Sequence, residues 1–134
     1  MPAFLHAETA GATHMFGWFK KKQIKRTPES RWTVECNGIS IRATGPDGVA
    51  MELRKIDLGG VIIETNDSGP WGADVWWLLF GSDDKVAVAF PQGASGEKAV
   101  VDYLIALPGF DHGAMIDAMQ SADNNVFPVW RPKP

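Results

Sequence analysis

From Arg31 onward the chain alternates between apolar and polar positions. Trp32, Val34 and Cys36 are separated by polar residues, Asn37-Gly38 interrupts, and Ile39, Ile41 and Ala43 resume the alternation. A period of two marks a strand with one buried face. Asn-Gly tolerates the positive φ angles of a type I′ turn, so the spacing predicts a hairpin with a two-residue loop. That loop would pair 36 with 39, 34 with 41 and 32 with 43, placing all six apolar residues on one face. Gly45-Pro46-Asp47-Gly48 then predicts a turn, and Val49, Met51 and Leu53 a third strand. Gly59-Gly60 separates it from a β-branched fourth strand over 61–65. A loop over 66–72, rich in turn formers, leads to a fifth strand over 74–80 that is apolar on both faces. Gly81-Ser82-Asp83-Asp84 turns into a sixth over 85–90.

After Pro91 the period lengthens. Ser95 is placed to cap a helix whose stripe is Val100, Val101, Leu104, Ile105 and Leu107, and Pro108-Gly109 stops it. Asp111 is placed to cap a second helix, with Phe110 before it and Met115, Ile116 and Met119 facing inward. Residues 126–130 fit an edge strand, because Pro128 cannot donate to a ladder. The pattern predicts an α+β domain: an antiparallel meander of six to seven strands followed by two C-terminal helices.

Several segments resemble a group of small bacterial proteins without an assigned activity. They are Leu53-x-x-Ile56-Asp57-Leu58-x-x-Val61, Gly69-Pro70-Trp71, Asp74-Val75-Trp76-Trp77, Gly93-x-x-Gly96 and Leu107-Pro108-Gly109-Phe110-Asp111. The resemblance covers roughly residues 32–130 and carries over no functional residues. The strand order with its terminal helices is also similar to bacterial pleckstrin-homology-like domains, a likeness of fold that implies no activity.

Composition sharpens the picture at the N-terminal side. The chain has 134 residues and a net charge of -3. Residues 1–31 carry Lys20, Lys21, Lys22, Lys25, Arg26 and Arg31 against Glu8 and Glu29, a balance of +4. The rest holds 7 basic and 14 acidic groups, or -7. Residues 1–30, closed by Thr27-Pro28-Glu29-Ser30, therefore read as a flexible basic leader, and 31–134 as one acidic domain. Met15 is a candidate initiator. An acidic body argues against nucleic acid as the ligand, since phosphate neutralisation needs a basic surface. No apolar run approaches the roughly 20 residues that span a bilayer. Nothing resembles a signal peptide, and Cys36 is the single cysteine, so the expected compartment is the cytoplasm.

Candidate chemistry is sparse. His112 is the one histidine of the domain and could pair only with Cys36, which lies on the inward face of the first hairpin. Imidazole or thiolate metal binding lacks ligands. Glu64, Asp67 and Asp74 flank the 66–73 loop, but without the alternating acids of a calcium loop. No spacing singles out a carboxylate pair among Asp57, Glu64, Asp67 and Asp74. Gly93-Ala94-Ser95-Gly96 before a helix is a weak anion-loop pattern, lacking the phosphate-binding fingerprints. No cofactor is expected.

The expected contact surface is aromatic. Trp71, between Pro70 and Gly72 and flanked by Asp67 and Asp74, sits where a large ring needs a cover, either the domain itself or a partner. The sequence therefore points to a non-catalytic binding or regulatory module acting through a protein partner at Trp71, Pro70, Asp67 and Asp74. One alternative is a small hydrolase or isomerase using the nearby carboxylates. Another is a peripheral membrane protein anchored by residues 16–26, where Phe16, Trp18 and Phe19 precede Lys20, Lys21 and Lys22.

Overall fold

A computed structural model describes residues 31–69, 72–121 and 123–133; for 67–69, 72 and 73 only the backbone is described. The elements are β1 (Thr33–Cys36), β2 (Ser40–Thr44), β3 (Ala50–Arg54), β4 (Leu58–Gly69), β5 (Gly72–Gly81), β6 (Val86–Pro91), α1 (Glu97–Ile105), α2 (His112–Gln120) and β7 (Asn125–Trp130). A 3₁₀ turn, Lys55–Asp57, links β3 to β4. The α+β architecture expected from the sequence is present, arranged as two antiparallel sheets of order β1-β2-β3 and β6-β5-β4-β7. The meander breaks twice: at the 3₁₀ turn, and at β7, which pairs with β4 after both helices have been made.

The first hairpin forms, but in another register. Val34 pairs with Ala43 and Cys36 with Ile41, so the two central loop residues are Gly38 and Ile39. Asn37 accepts from the Ile39 and Ser40 amides through Oδ1 at 2.7 and 2.9 Å. This side-chain turn displaces the type I′ geometry, and Gly38 does not take a positive φ. The slip is two residues, which preserves the faces of both strands: Val34, Ile41 and Ala43 are buried as expected. Ile39 leaves the ladder and is 71% exposed. The second turn follows the sequence reading, with Gly48 at φ 83° donating to the Gly45 carbonyl.

Gly59 and Gly60 do not separate strands; they lie inside β4 at a bulge opposite the end of β5. A Cβ on Gly59 would fall 2.5 Å from the Gly81 carbonyl oxygen, so the strands approach here as only glycine permits. From Val61 to Asn66 the β4–β5 register is continuous, and both faces of this ribbon are covered. On one face Trp77 stacks parallel to its cross-strand partner Phe90 at 6.3 Å. On the other, Trp76 meets edge-on Trp32, the residue that leads into β1 of the three-stranded sheet. That sheet also packs against β6 through β2 and β3, while α1 lies along β1 and α2 crosses β7 and β4.

The helices depart from the sequence reading at two points. α1 is capped by Gly96 in the left-handed region, with no side-chain cap, because Ser95 is engaged elsewhere: its amide donates to the Trp32 carbonyl and its carbonyl accepts from Val34. In α2, Asp111 caps as expected by accepting from the Ala114 amide at 2.9 Å. Ile116 and Met119 instead point outward, 52% and 37% exposed, and Ala118 is the buried residue. A small side chain lets the helix lie close on the sheet, turning the bulkier stripe to its flanks.

Candidate functional site

Of the segment expected as a loop over 66–72, residues 66–69 belong to β4 and Gly72 to β5. Glu64 faces Trp76, Thr65 faces Val75 and Asn66 faces Asp74, a register shift follows, and the ladder closes on Gly69 opposite Gly72. Turn-forming residues are accommodated because the shift absorbs the extra length and the partner strand supplies the hydrogen bonds. The flanking strands stop short of this end. The last β5–β6 partners are Trp76 and Pro91, and the β4–β7 ladder stops at Thr65 and Asn125. Past Thr65 and Val75 the two strands of the hairpin have mainly each other, apart from the Gln92 amide bonded to the Val75 carbonyl at 2.7 Å.

The base of this extension is polar and buried. Glu64, Thr65 and Asn66 are 7%, 1% and 0% exposed. Thr65 faces α2, where its hydroxyl donates to the Asp123 carbonyl at 2.8 Å and lies 3.2 Å from the Ser121 hydroxyl. Glu64 and Asn66 alternate to the opposite face, which they share with Trp76 and the half-buried Asp74 across the ladder. Each of these four is engaged by a neighbour. Sequence reasoning missed this buried run, taking 61–65 as the fourth strand and 66 as the start of a loop; its one signal was three polar residues directly continuing an apolar strand.

Of the residues singled out for partner binding, Asp74 is seen at the base of the extension and Asp67 lies in the β4 backbone. Pro70, Trp71 and the Asp67 side chain lie outside the described residues. So do Phe16, Trp18, Phe19, Lys20, Lys21, Lys22 and the whole leader.

Other candidates are resolved by their contacts. Cys36 Sγ faces the Ala99 carbonyl at 3.8 Å, near the start of α1. His112 Nε2 meets the Ile105 carbonyl at 3.1 Å, at the end of the same helix, and its ring packs on Phe110. Six residues of helix, about 9 Å of rise, separate the two partners, so the contacts of neither residue bring thiol and imidazole together. In the 93–96 loop the Gly93 amide donates to Glu97 Oε1 at 2.8 Å, so the chain's own carboxylate occupies the place an anion would take. Among the described residues no group of three or more His, Cys, Asp or Glu side chains is placed to hold a metal ion.

Two surface features were not foreseen. The outward row Glu35–Arg42–Glu52 crosses all three strands of the smaller sheet, and Arg42 Nη2 contacts Glu52 Oε1 at 2.9 Å. Hydrogen bonds from Arg42 and then Ser40, with the guanidinium charge, hold the Glu52 carboxyl below its ordinary range. With Cys36, Asn37 and Ser40 these three line a polar recess of about 160 Å³. The Lys55 amide donates to the Ile39 carbonyl at 2.8 Å, and Ile39 and Ile56 are both exposed, at 71% and 82%.

Several positions of the motifs that carried the family resemblance lie in the interior or at a cap, whereas Ile56, Pro108 and Gly109 are exposed. Leu53, Leu58, Val61, Trp76, Trp77 and Phe110 are buried, and Asp111 caps α2. No family model matches the chain, and neither a curated protein nor a solved structure matches it.

Proposed function

We propose that this protein is a non-catalytic binding or regulatory module of the cytoplasm that engages a protein partner through the end of the β4–β5 hairpin. The observation that carries the reading is the hairpin's extension beyond both flanking strands to Gly69 and Gly72. Up to Gly69 and Gly72 the two strands are paired and rooted in a packed sheet, and pre-ordered backbone lowers the entropic cost of docking. Pro70 and Trp71 stand between Gly69 and Gly72 in the sequence, and tryptophan is enriched among interface anchors. The acidic balance of residues 32–134 favours a partner with a basic rim, through faster encounter more than tighter binding. No helix among the described residues is long and apolar enough to cross a membrane.

The test starts with the full chain as bait, followed by titration with the purified captured partner. Trp71→Ala should weaken binding by roughly thirtyfold or more, the loss expected of an anchor worth about 2 kcal/mol, with the thermal unfolding midpoint unchanged. A saturable partner whose affinity ignores this substitution would move the contact elsewhere. Absence of any saturable partner would remove the reading.

A second reading, a carboxylate-dependent hydrolase or isomerase, draws on Glu64 and Asp74, which occupy diagonal positions on one face of the ribbon. Residues so related have Cβ atoms roughly 7–8 Å apart, within the span of a small substrate. Screening against ester, glycoside and amide substrates with Asp74→Asn as control decides it: activity insensitive to that substitution rules the pair out.

A further inference from the structure

We propose that Asn37 is a self-modifying position, converting in the folded protein through a cyclic imide with Gly38 to a mixture of aspartyl and isoaspartyl residues. Four asparagines occur in the described chain, and Asn37 alone is followed by glycine. Asn66 is fully buried and precedes Asp67, Asn124 precedes Asn125, and Asn125 precedes Val126 in β7. Asn37 and Gly38 are both exposed, at the tip of the β1–β2 hairpin.

The fold does not ask for glycine at 38. Its φ is outside the left-handed region, and a Cβ built there meets nothing within 4 Å. What glycine supplies is an unobstructed amide beside the Asn37 side chain. The side chain is held in one orientation as well. Its Oδ1 accepts from two backbone amides, Ile39 at 2.7 Å and Ser40 at 2.9 Å. Those donors polarise the side-chain carbonyl and stand where negative charge grows on Oδ1 as Cγ becomes tetrahedral, the arrangement that stabilises an oxyanion.

The atoms balance with water as the sole co-reactant. The Gly38 amide gives up its proton to solvent base and its nitrogen bonds to Asn37 Cγ. The Cγ–Nδ2 bond then breaks, and the nitrogen takes up a proton and leaves as ammonia. One water adds to either carbonyl of the five-membered imide, opening it to a normal aspartyl link or to an isoaspartyl link through the side chain. No oxidation or reduction occurs. Either product puts a new carboxylate on the wall of the recess that Asn37 lines with Glu35, Arg42 and Glu52. The isoaspartyl form also lengthens the backbone by one carbon where Asn37 donates to the Ser40 carbonyl, and so loosens the Cys36–Ile41 end of the ladder.

The experiment incubates the full chain, folded as judged by circular dichroism, in mildly alkaline and mildly acidic buffer and follows all four asparagine-containing peptides by mass spectrometry. The peptide containing Asn37 should exchange amide for carboxyl, faster in alkali, yielding both isomers, with isoaspartate the larger share. The other three asparagines should stay intact over the same period. Gly38→Ala should fold with an unchanged melting point and convert at about one tenth of the parent rate or slower, because its methyl group crowds the attacking nitrogen. Conversion of Asn37 no faster than Asn124, a product lacking isoaspartate, or equal rates in the parent and Gly38→Ala would each overturn the proposal.

Discussion

Trp32 stands edge-on to Trp76, with ring centroids 5.3 Å apart and planes at 89°, and this contact joins the two sheets. Both rings are nearly fully buried, at 6% and 1% exposure. Each large-to-small replacement, Trp32→Leu or Trp76→Leu, should cost about 3 kcal/mol in urea unfolding. The double variant should lose about 1 kcal/mol less than the sum, the coupling expected of an aromatic edge contact. Strict additivity would show that only burial matters here.

The two serine and aspartate positions placed before helices in the sequence should behave differently. Asp111→Ala removes the acceptor for the Ala114 amide and should lower stability by about 1 kcal/mol. Ser95→Ala removes no cap, since the backbone of Ser95 and not its side chain holds β1, and should change stability by less than about 0.5 kcal/mol. Chemical denaturation of both variants settles the contrast.

Two glycine-to-alanine changes should have opposite signs. Gly96 has a φ of 86° and a Cβ would fall 2.3 Å from the Val34 carbonyl oxygen, so Gly96→Ala should lose about 2 kcal/mol or more and detach the α1 entry from β1. Gly113 lies inside α2, where a Cβ meets only Asp111 Oδ1 at an ordinary 3.5 Å, so Gly113→Ala should gain about 0.5–1 kcal/mol of helix propensity. Thermal unfolding of each against the parent reads both signs.

Tyr103 is the sole tyrosine, so its ionisation can be followed directly by ultraviolet absorbance. Burial, and next the nearby Cys36 thiolate, push its phenol above the ordinary value. Its folded state therefore holds the proton more tightly than the unfolded chain does. The stability this contributes is complete below the unfolded value of about 10 and is lost as pH rises through the folded one. The phenolate should appear at higher pH than in the urea-unfolded chain; coincident titrations would contradict the burial.

Local alternation carried most of the strand assignments, because Val34, Ile41, Ala43 and Leu53 obey a period set by the pleat and are buried where it places them. What local pattern could not supply was competition between solutions of similar local cost. Asn37-Gly38 suits a type I′ turn, yet the Asn37 side chain closes a different one with the same faces. Asn66 to Gly69 reads as loop by composition, yet pairing with β5 satisfies its backbone. Ser95 has capping chemistry, yet a crossing strand takes its amide first. At the candidate site, the burial of Glu64 and Asn66 was not legible, because it is set by tertiary packing that a local pattern does not record.

The pairing of β7 with β4 sets an order of assembly. Thr65 waits for Asn125 and Val61 for Trp130, so one edge of the central ribbon stays open while sixty further residues leave the ribosome. Until then β4 offers Val61, Ile62 and Ile63 along an unpaired edge, the kind of surface on which nascent chains associate. The last strand thus acts as a latch: its Pro128 leaves the finished edge short of a donor, closing the sheet and blunting it against further strands in one step.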